Sequence, residues 1–482
     1  MRMILPRNVS YIINKLEEKG YEAYAVGGCV RDTILGREPE DWDITTSAQP
    51  MEIKGCFKKT IDTGIQHGTV TVMLDHIGYE VTTYRIDGEY EDNRHPKSVE
   101  FTNNLRLDLE RRDFTINAMA YNDSVGLVDE FDGIGDIENK IIRCVGDAGQ
   151  RFDEDALRML RAIRFSGQLD FKIEENTREA ITVRVEKLKN ISAERIRVEL
   201  SKLIISKASG QIREVYNTGM SAYFLPELDA MMKVDQKNPH HVYTVGEHSI
   251  RSVENMNFFF GKYTDSVDIS IFPQDIVERV RKITKNLDKK EHIILCMTML
   301  LHDIAKPKVM FTGKDGVGHF YGHPERSEEM ARVILRRLTF DNDTIGIVRR
   351  LIRFHDIRIN SDKKSVRRAV SKIGKDIMEM LFLVQYADIF AQNPATFDSK
   401  LKQVSGIMDI YHEVIAENSP LTIKDLEVNG RDLIESGVKP GPVLGDTLEK
   451  LLEIVLDDPQ KNKKQILLDS VKKMEGDSPN GY

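Results

Sequence analysis

Residues 26–32 read Val-Gly-Gly-Cys-Val-Arg-Asp, and residues 41–43 read Asp-Trp-Asp. A short apolar run typical of a strand leads into the two glycines. Because glycine has no Cβ, a phosphate can approach the backbone N–H groups of Gly27 and Gly28 closely. Arg31 then supplies a guanidinium that can bind phosphate oxygens. This stretch predicts a phosphate-binding turn after a strand.

The second part of the stretch places two carboxylates two residues apart, at Asp41 and Asp43. On a strand this spacing puts both carboxylates on one face and turns Trp42 and Ile44 into the core. Converging carboxylates suit Mg²⁺, which binds few protein oxygens and otherwise substrate phosphates. We therefore expect a magnesium site beside the phosphate-binding turn.

Two β-branched runs, 67–74 and 79–85, are separated only by residues 75–78 and predict a hairpin. Glu80 lies on the second run and is a candidate third carboxylate. The segment from Glu110 to Ala120 is expected to open a short helix, and helical periodicity dominates from residue 153 onward. The predicted fold class is α+β, a small N-terminal mixed sheet followed by mostly helical domains.

Length and composition limit the functional classes. A chain of 482 residues exceeds a single core and predicts several domains. No apolar run approaches the roughly 20 residues that span a bilayer, and the four cysteines form no CxxC pair. The N-terminus lacks the apolar segment of a signal peptide, so we expect reduced thiols and a cytoplasmic protein without a membrane partner. The net charge of −8 does not by itself favour nucleic acid, although residues 151–215 carry a small excess of Lys and Arg.

We divide the chain into four segments by its periodicity and its Pro- and Gly-containing connectors. These are a head (1–140), a helical neck (141–232), a larger helical block (233–415) and a C-terminal tail (416–482). The tail is expected to consist of short helices, and residues 259–275 show no clear period and are interpreted as an insertion.

The motifs Gly27-Gly-x-Val-Arg-Asp32 and Asp41-x-Asp43 resemble the polymerase-β-type nucleotidyltransferase head. The match is to the class II (bacterial-type) tRNA nucleotidyltransferase and poly(A) polymerase family, and it extends over nearly the whole chain. The resemblance implies that Asp41 and Asp43, with Glu80 as a third carboxylate, hold two Mg²⁺ ions for nucleotidyl transfer. It also implies that Gly27, Gly28, Arg31 and Asp32 bind the triphosphate.

Two further motifs resemble the same family. Residues 111–120 match its ribose motif, which implies that Asp113 accepts a hydrogen bond from a sugar hydroxyl and that Arg111 and Arg112 reach phosphate. Residues 153–164 match the motif that selects the base. On a continuous helix Asp155 and Arg158 would share a face and imitate a base edge, and the other cations of this stripe are Arg161 and Arg164. Arg195 matches another family motif. Solvated ion pairs would be the alternative explanation of this pattern.

The polar loop between residues 84 and 96 contains Asp92 and Arg94. It resembles a flexible loop that full CCA-adding enzymes carry and CC-adding relatives lack. The resemblance therefore implies that a terminal adenosine is added as well as the two cytidines.

The larger helical block contains a second set of candidate ligands. Its pattern resembles the HD phosphohydrolase superfamily, in which histidines and aspartates hold one or two divalent metals. The matching residues are His248, His302, Asp303, His323, His355 and Asp388. His241 competes with His248 as the first ligand. A domain that has lost its activity and only packs is the alternative.

Together the resemblances imply an enzyme that adds or repairs the 3′-terminal CCA of tRNA from CTP and ATP, with Mg²⁺ in the head and a divalent metal in the HD site. Three alternatives share these motifs or part of them: an A-adding tRNA nucleotidyltransferase, a poly(A) polymerase, and a protein that is chiefly an HD phosphohydrolase. A pure RNA-binding scaffold fits the negative charge poorly.

Overall fold

The computed structural model of the chain describes residues 2–88, 99–236, 242–265, 267–314 and 317–476. The chain forms two compact units. The first comprises Met1–Asp229, Lys262–Ser266 and Arg337–Thr339, and the second comprises Ala230–Gly261, Val267–Arg336 and Phe340–Tyr482. Across the described ranges, no helix is both long enough and apolar enough to cross a membrane.

The first unit contains the strands β1 (Ala23–Val26), β2 (Ile44–Thr46), β3 (Thr60–Gly64), β4 (Thr69–Leu74), β5 (Ile77–Thr83), β6 (Arg85–Asp87), β7 (Val99–Phe101), β8 (Met119–Asn122), β9 (Gly126–Asp129), β10 (Ile141–Ile142) and β11 (Lys172–Ile173). Seven of them form one mixed sheet in the order β3-β4-β5-β2-β1-β8-β9. The β2–β5 pair is parallel, and the other neighbours in this sheet are antiparallel. The predicted mixed N-terminal sheet is confirmed.

The helices that begin in the first unit are α1 (Arg7–Glu17), α2 (Gly28–Ile34), α3 (Pro50–Cys56), α4 (Leu105–Glu110), α5 (Gly133–Glu138), α6 (Ala148–Glu154), α7 (Leu157–Leu169), α8 (Glu175–Arg184), α9 (Ala193–Ile204), α10 (Ile212–Asn217), α11 (Ser221–Phe224) and α12 (Pro226–Met232). Helix α1 buries Ile12, Ile13 and Leu16, which recur at helical spacing. All four residues of β1 are buried because the strand lies inside the sheet. This central position fixes the start of the Gly27–Gly28 turn.

The predicted hairpin is confirmed, with a tighter turn than expected. Strands β4 and β5 pair from Thr69–Thr82 to Leu74–Ile77 and leave only two residues in the turn. Asp75 and His76 both have positive φ, as a type I′ turn requires, and its twist matches that of the paired strands.

Three local expectations about the first unit are wrong. The strand after Trp42 begins only at Ile44, and Trp42 is half-buried. The helix expected over 110–120 ends at Glu110 and gives way to a 3₁₀ turn and strand β8. Helix α6 ends at Glu154, and Asp155 has extended backbone angles, so the helix expected over residues 153–164 is interrupted. Pairing of β8 with β1 overrides the local helical preference in the second case, and in the third the Asp155 side chain accepts from the N–H of Leu157 and caps the next helix.

The second unit is mostly helical. Its elements are α13 (Val245–Phe259), α14 (Gln274–Thr284), α15 (Lys289–Leu301), α16 (Lys306–Val309), β12 (Phe311–Thr312), β13 (Gly318–His319), α17 (His323–Arg337), α18 (Asn342–Phe354), α19 (Lys363–Ile373), α20 (Met378–Ile389), α21 (Phe397–Ala416), α22 (Gly430–Glu435), α23 (Pro442–Asp457) and α24 (Lys464–Gly476). Helices α15 and α20 are apolar around most of their circumference and pack against each other and against α13 and α18. This packing positions the histidines described below.

Two parts of the second unit are more ordered than their patterns indicate. Within the segment interpreted as an insertion, Phe272 stacks on Phe258 with ring centroids 4.1 Å apart. The tail has a core of its own, in which Leu433, Leu451 and Leu467 are fully buried, and α23 is a long helix of 16 residues. The core forms because α23 packs against both α22 and α24 and brings their short apolar stretches together.

Candidate active site and metal centre

Three carboxylates, Asp41, Asp43 and Glu80, lie near one another at two central strands of the sheet in the first unit. Strands β2 and β5 are parallel, with Ile44 opposite Val81, so Asp43 and Glu80 each lie one residue before this pair, on the same face. Partial desolvation raises the pKa of Glu80, and the charges of Asp43 and Asp41 raise it further. Mutual repulsion among exposed carboxylates is relieved by a cation, so these residues fit Mg²⁺.

Asp43 shows the same electrostatic signature. Desolvation raises the pKa of its carboxyl, Arg112 opposes this rise and Asp41 adds to it. The three carboxylates are neighbours, but they do not converge on one point. Among the described residues, the groups of three side chains with donor atoms within 4.8 Å of one another lie in the second unit.

The glycine turn is held by the strand next to it. Gly27 has φ 82° and ψ −127°, a conformation that favours glycine, and a Cβ there would lie 3.0 Å from Nη1 of Arg112. Its N–H donates to the carbonyl of Met119 at 3.1 Å, so the expectation that this N–H faces phosphate is wrong. Helix α2 starts at Gly28, and the first helical N–H groups have no intrahelical acceptor.

Arg31 is engaged within the protein. Its Nε and Nη2 donate to the two carboxylate oxygens of Asp32 at 3.0 and 2.8 Å, and its Nη1 donates to Oδ1 of Asn117 at 2.6 Å. The guanidinium also lies 5.1 Å from the ring centroid of Phe165. A phosphate would therefore have to compete with Asp32 for this arginine.

Asp113, the expected ribose contact, is buried and fully paired. Nε and Nη2 of Arg161 donate to its Oδ2 at 2.8 and 2.6 Å, and Asn117 donates to its Oδ1 at 3.1 Å. Burial alone would raise the pKa of Asp113, but Arg161 and Asn117 hold it below its ordinary value. Asn117 thus bridges Asp113 and Arg31, a role that sequence reasoning missed.

Asp155 and Arg158 do not share a helical face, because the helix breaks between them. The Asp155 carboxylate accepts from the N–H of Leu157 at 3.0 Å and pairs with Arg195, at 2.7 and 3.2 Å. Arg158 donates to Glu154 at 2.6 Å and to the carbonyl of Arg111 at 2.9 Å. Each candidate base-reading group is thus paired with another residue.

Arg164 lies in the interior rather than on an exposed stripe. It is only 6% exposed, donates to Glu199 at 2.6 Å and stacks over Phe165 at 3.5 Å. Burial lowers the pKa of Arg164 to about 10, and Glu199 opposes the decrease. Glu199 also lies 3.8 Å from Arg161, so one buried carboxylate holds both arginines.

Asp108 anchors the arginines of the ribose motif and was also missed. It is fully buried, and Arg111 and Arg112 lie 2.7 and 3.4 Å from its oxygens. The signal was available, because an aspartate three and four residues before two arginines faces both on a helix. Asp92, Arg94 and His241 lie outside the residues that the structure describes.

In the second unit, six side chains form what we call the histidine–aspartate cluster: His248, His302, Asp303, His323, His355 and Asp388. His248 comes from α13, Asp388 from α20, and His302 and His355 directly follow α15 and α18. Nε2 of His248 lies 2.9 Å from Asp388 and 3.2 Å from Nε2 of His302. Asp303 lies 3.3 Å from His302 and 3.4 Å from His323.

The four imidazoles share one orientation. Each Nδ1 lies within hydrogen-bond distance of a backbone carbonyl, at 3.1 Å for His248, 2.8 Å for His302, 2.9 Å for His323 and 2.6 Å for His355. A carbonyl only accepts, so each Nδ1 carries the hydrogen and each Nε2 turns towards the cluster. Metal-binding histidines are commonly held in this way.

The charges of the cluster favour a cation. Burial lowers the pKa of His323 and His355 to about 4, so both are neutral, and their Nε2 atoms lie 3.3 Å apart with lone pairs facing. Burial also disfavours a charge on His302, but Asp303 and Asp388 raise its pKa to about 10. The two carboxylates thus stabilise a positive charge at His302, and together with neutral imidazoles such carboxylates are a donor set for a divalent first-row metal.

Lys306 is a buried cation in contact with the histidine–aspartate cluster. Its Nζ lies 2.6 Å from Asp303 and donates to Gln236 at 2.8 Å. The lysine neutralises part of the charge on Asp303, and sequence reasoning did not single it out.

Three family models match the chain. The poly A polymerase head domain matches residues 23–143, the RNA and SrmB-binding site of polymerase A matches residues 170–232, and tRNA nucleotidyltransferase domain 2 matches residues 321–471. Two curated proteins named CCA-adding enzyme align over nearly their full length. The one from Pediococcus pentosaceus is 32% identical over 97% of each chain, and the one from Ligilactobacillus salivarius is 34% identical over 96% of this chain and 95% of its own.

A third, from Lactobacillus delbrueckii subsp. bulgaricus, is 54% identical over 44% of this chain and 53% of its own. Among solved structures, the Bacillus stearothermophilus CCA-adding enzyme in complex with CTP has a TM-score of 0.69 at 26% identity, over 98% of this chain and all of that one. The Thermotoga maritima CCA-adding enzyme complexed with tRNA has a TM-score of 0.59 at 20% identity, over 98% of this chain and 97% of that one, and shows likeness of fold.

Proposed function

The chain belongs to the CCA-adding enzymes, a family of tRNA nucleotidyltransferases, and we propose that it adds or repairs the 3′-terminal CCA of tRNA from CTP and ATP without a nucleic-acid template. The single observation that carries the proposal is the grouping of Asp41, Asp43 and Glu80 at the central strands β2 and β5, beside the Gly27 turn. Relatives with this name have been solved with CTP and with tRNA.

The reaction joins the 3′-hydroxyl oxygen of the tRNA to the α-phosphorus of the nucleotide and releases pyrophosphate. Asp41, Asp43 and Glu80 would hold Mg²⁺, which would supply a lowered pKa of the attacking hydroxyl and neutralisation of the triphosphate charge. The helical N–H groups of the first turn of α2 would bind the triphosphate together with Arg31. Asp32, which accepts two hydrogen bonds from Arg31, would orient that guanidinium.

The neighbouring residues would select the nucleotide. Asp155 and Arg158 would present a donor and acceptor edge to the base once their pairs with Arg195 and Glu154 exchange for it. Asp113, with Arg161, would orient the ribose. Arg111 and Arg112 would support this surface by charge. Arg164, which pairs with Glu199 in the interior, would hold the network beneath it. Asp92 and Arg94 would control the addition of the terminal adenosine.

The assignment also divides the chain by task. Residues 1–140 would carry out transfer, residues 141–232 would select the nucleotide and bind RNA, residues 233–415 would form the phosphohydrolase-like domain, and residues 416–482 would form the tail segment.

The test is single-nucleotide incorporation by Asp43→Ala and Asp41→Ala proteins on a tRNA that lacks its CCA end. We expect incorporation to fall by at least about 10³-fold, while the Kd for tRNA stays within about threefold. Asp62→Ala is a matched control, because this exposed aspartate of the same unit pairs, among the described residues, with Lys54 at the surface. Substantial incorporation by Asp43→Ala would contradict the metal assignment.

A second activity is favoured by the histidine–aspartate cluster. We infer that this cluster holds one or two divalent metals and hydrolyses phosphate esters at an RNA 3′ end, where the metal would polarise the phosphate and activate water. Its support is the shared inward orientation of the four Nε2 atoms towards Asp303 and Asp388.

This activity is tested without any nucleoside triphosphate. The protein is incubated with Mn²⁺ and RNA that ends in a 2′,3′-cyclic phosphate or a 2′-phosphate, and the released ends are analysed. We expect hydrolysis that His302→Ala abolishes while nucleotide incorporation continues. Hydrolysis that survives in the His302→Ala protein would assign it to another site or to a contaminant.

A further inference from the structure

Three aromatic side chains form an exposed stack on the short hairpin of β12 and β13 in the second unit. Phe311 lies directly opposite His319 in the antiparallel pair, with ring centroids 6.5 Å apart and ring planes inclined by 30°. The rings of His319 and Tyr321 are nearly parallel, with centroids 5.4 Å apart and an angle of 5°. Opposite residues and residues two apart share one face of a hairpin. We call these three residues the aromatic ladder.

The ladder is exposed, although its rings are large and flat. Phe311 is 61% exposed and Tyr321 is 77% exposed. Buried rings of the same unit meet edge to face instead, as Phe390 and Phe397 do at 86°. Single exposed apolar side chains are ordinary, but stacked rings on one face form a continuous surface that a flat ligand can cover.

The backbone of this hairpin is fixed to the rest of the unit. Nζ of the buried Lys306 lies 5.2 Å from the ring centroid of Phe320, and the carbonyl of Phe320 accepts from Nδ1 of His323 at 2.9 Å. A Cβ added to Gly318 would overlap the carbonyl oxygen of Gln236, so β13 packs closely on the chain there. The ladder therefore stands on a fixed support, two residues before a histidine of the histidine–aspartate cluster.

Cations flank the aromatic ladder. Lys308 and Lys314 each lie three residues from Phe311 and are exposed. Glu325, the first acidic residue after the ladder, pairs with Arg353 at 3.1 Å, so its charge is offset. Flat aromatic faces beside cations suit single-stranded nucleic acid, because its bases stack on the rings and its phosphates approach the ammonium groups. An acidic peptide would use the cations without needing the flat faces.

We propose that the aromatic ladder binds unpaired bases of a single-stranded RNA, which stack on the exposed faces of Phe311 and Tyr321 while Lys308 and Lys314 contact the phosphates. Stacking requires a free base face, so the surface selects single strands over duplexes. It tolerates every base, because each base has such a face. The proposal rests on the function proposed above only in taking RNA as the partner, and neither a metal nor a nucleoside triphosphate takes part in it.

The test measures RNA binding by the full chain in the presence of EDTA. The probe is a fluorescein-labelled oligoadenylate of about 12 nucleotides, and binding is followed by fluorescence anisotropy. Tyr321→Leu and Phe311→Leu should each raise the Kd about tenfold, whereas Tyr321→Phe, which keeps the ring, should stay within about twofold of the wild type. Leucine retains an apolar side chain, so the contrast separates ring stacking from general apolar contact. A Kd that Tyr321→Leu leaves unchanged overturns the proposal.

Tyr11→Leu is the matched control, because it removes an exposed ring from the first unit and should leave the Kd unchanged. Unaltered circular dichroism and thermal unfolding show that each variant is folded. The first unit is also expected to bind RNA, so the ladder is located directly by ultraviolet cross-linking to an oligonucleotide that contains thiouridine. Mass spectrometry should identify cross-linked peptides that contain the ladder, and cross-links confined to other segments overturn the proposal.

Competition separates the other partners. The oligoadenylate annealed to oligouridylate should compete at least about tenfold less well than the single strand, and equal competition by this duplex overturns the stacking. An acidic peptide that displaces the RNA and depends on Tyr321 would identify a protein partner instead. Completed CCA ends without Tyr321-dependent binding overturn this inference alone. Tyr321-dependent binding by a protein that completes no CCA end overturns the function proposed above alone.

Discussion

Replacing Arg161 by Met tests the buried charge network of the first unit. Asp113 is 8% exposed and accepts from Arg161 at 2.6 and 2.8 Å. After the change its carboxylate stays buried, and among the described residues Asn117 and the N–H of Phe114 remain as its donors. Loss of one partner of a fully buried ion pair costs about 3–5 kcal/mol. Because the Arg161 side chain is 33% exposed, we expect a smaller loss of about 2–3 kcal/mol.

The effect has a defined pH dependence. In the wild type the pKa of Asp113 lies below its ordinary value, so its contribution is complete above about pH 4 and is lost as the pH falls through the folded-state value. In Arg161→Met, burial without the arginine raises the pKa of Asp113. Protonation of Asp113 then removes the unpaired buried charge. The difference in free energy of unfolding between the wild type and Arg161→Met should therefore become smaller as the pH falls from 7 to 5.

The assay is urea unfolding followed by tryptophan fluorescence. Trp42 is the single tryptophan of the chain and lies in the first unit, so its signal follows that unit and avoids treating the whole chain as two-state. Arg106→Met is the matched control, because its pair with Glu130 is exposed and should cost less than about 1 kcal/mol.

Equal costs for Arg161→Met and Arg106→Met would refute the account of this network. The double variant Asp113→Asn/Arg161→Met should recover part of the loss, because no buried charge is then left unpaired. A difference in free energy of unfolding that grows towards pH 5 would contradict the rise in the pKa of Asp113 that we expect in Arg161→Met.

Three further outcomes follow from the described geometry. Arg158→Ala should lower discrimination among the four nucleotides about tenfold without weakening tRNA binding; unchanged discrimination in single-nucleotide assays would exclude its role at the base. Glu80→Gln should raise the Mg²⁺ concentration for half-maximal incorporation at least about fivefold, and an unchanged Mg²⁺ titration would remove Glu80 from the site. Burial raises the pKa of Cys29 to about 11 and of Cys144 to about 12. A thiol reagent at pH 8 should therefore label the half-buried Cys56 first, and the labelling rates of Cys29 and Cys144 should increase as the pH is raised. Equal labelling rates for the three thiols at pH 8 would refute this order.

The fold was predictable where local patterns match tertiary packing. The β4–β5 hairpin and helix α1 follow directly from period and turn residues. At Asp155 the helix breaks where the side chain accepts from the N–H of Leu157 at the start of α7. The pair with Arg195, 40 residues further along the chain, was not predictable from the local pattern. The same applies to strand β8, which the sheet recruits from a sequence that reads as a helix.

The candidate site was predictable in its residue types and less so in its connections. Asp43 and Glu80 are adjacent because β2 and β5 are parallel, a pairing that the separate motifs do not reveal. Glu199 and Asn117 join the arginines into one network, yet each alone reads as an ordinary polar residue of its segment. Burial and distance, which decide their roles, arise only in the folded chain.

The central claim is tested most directly by the products on tRNA itself. Transcripts that lack CCA, CA or A are incubated with the protein and Mg²⁺, with CTP and ATP supplied separately and together, and the 3′ ends are sequenced. Our account predicts that every substrate is completed to CCA and that addition then stops. Addition of A only to ends that already carry CC, or long tracts of A, would contradict it.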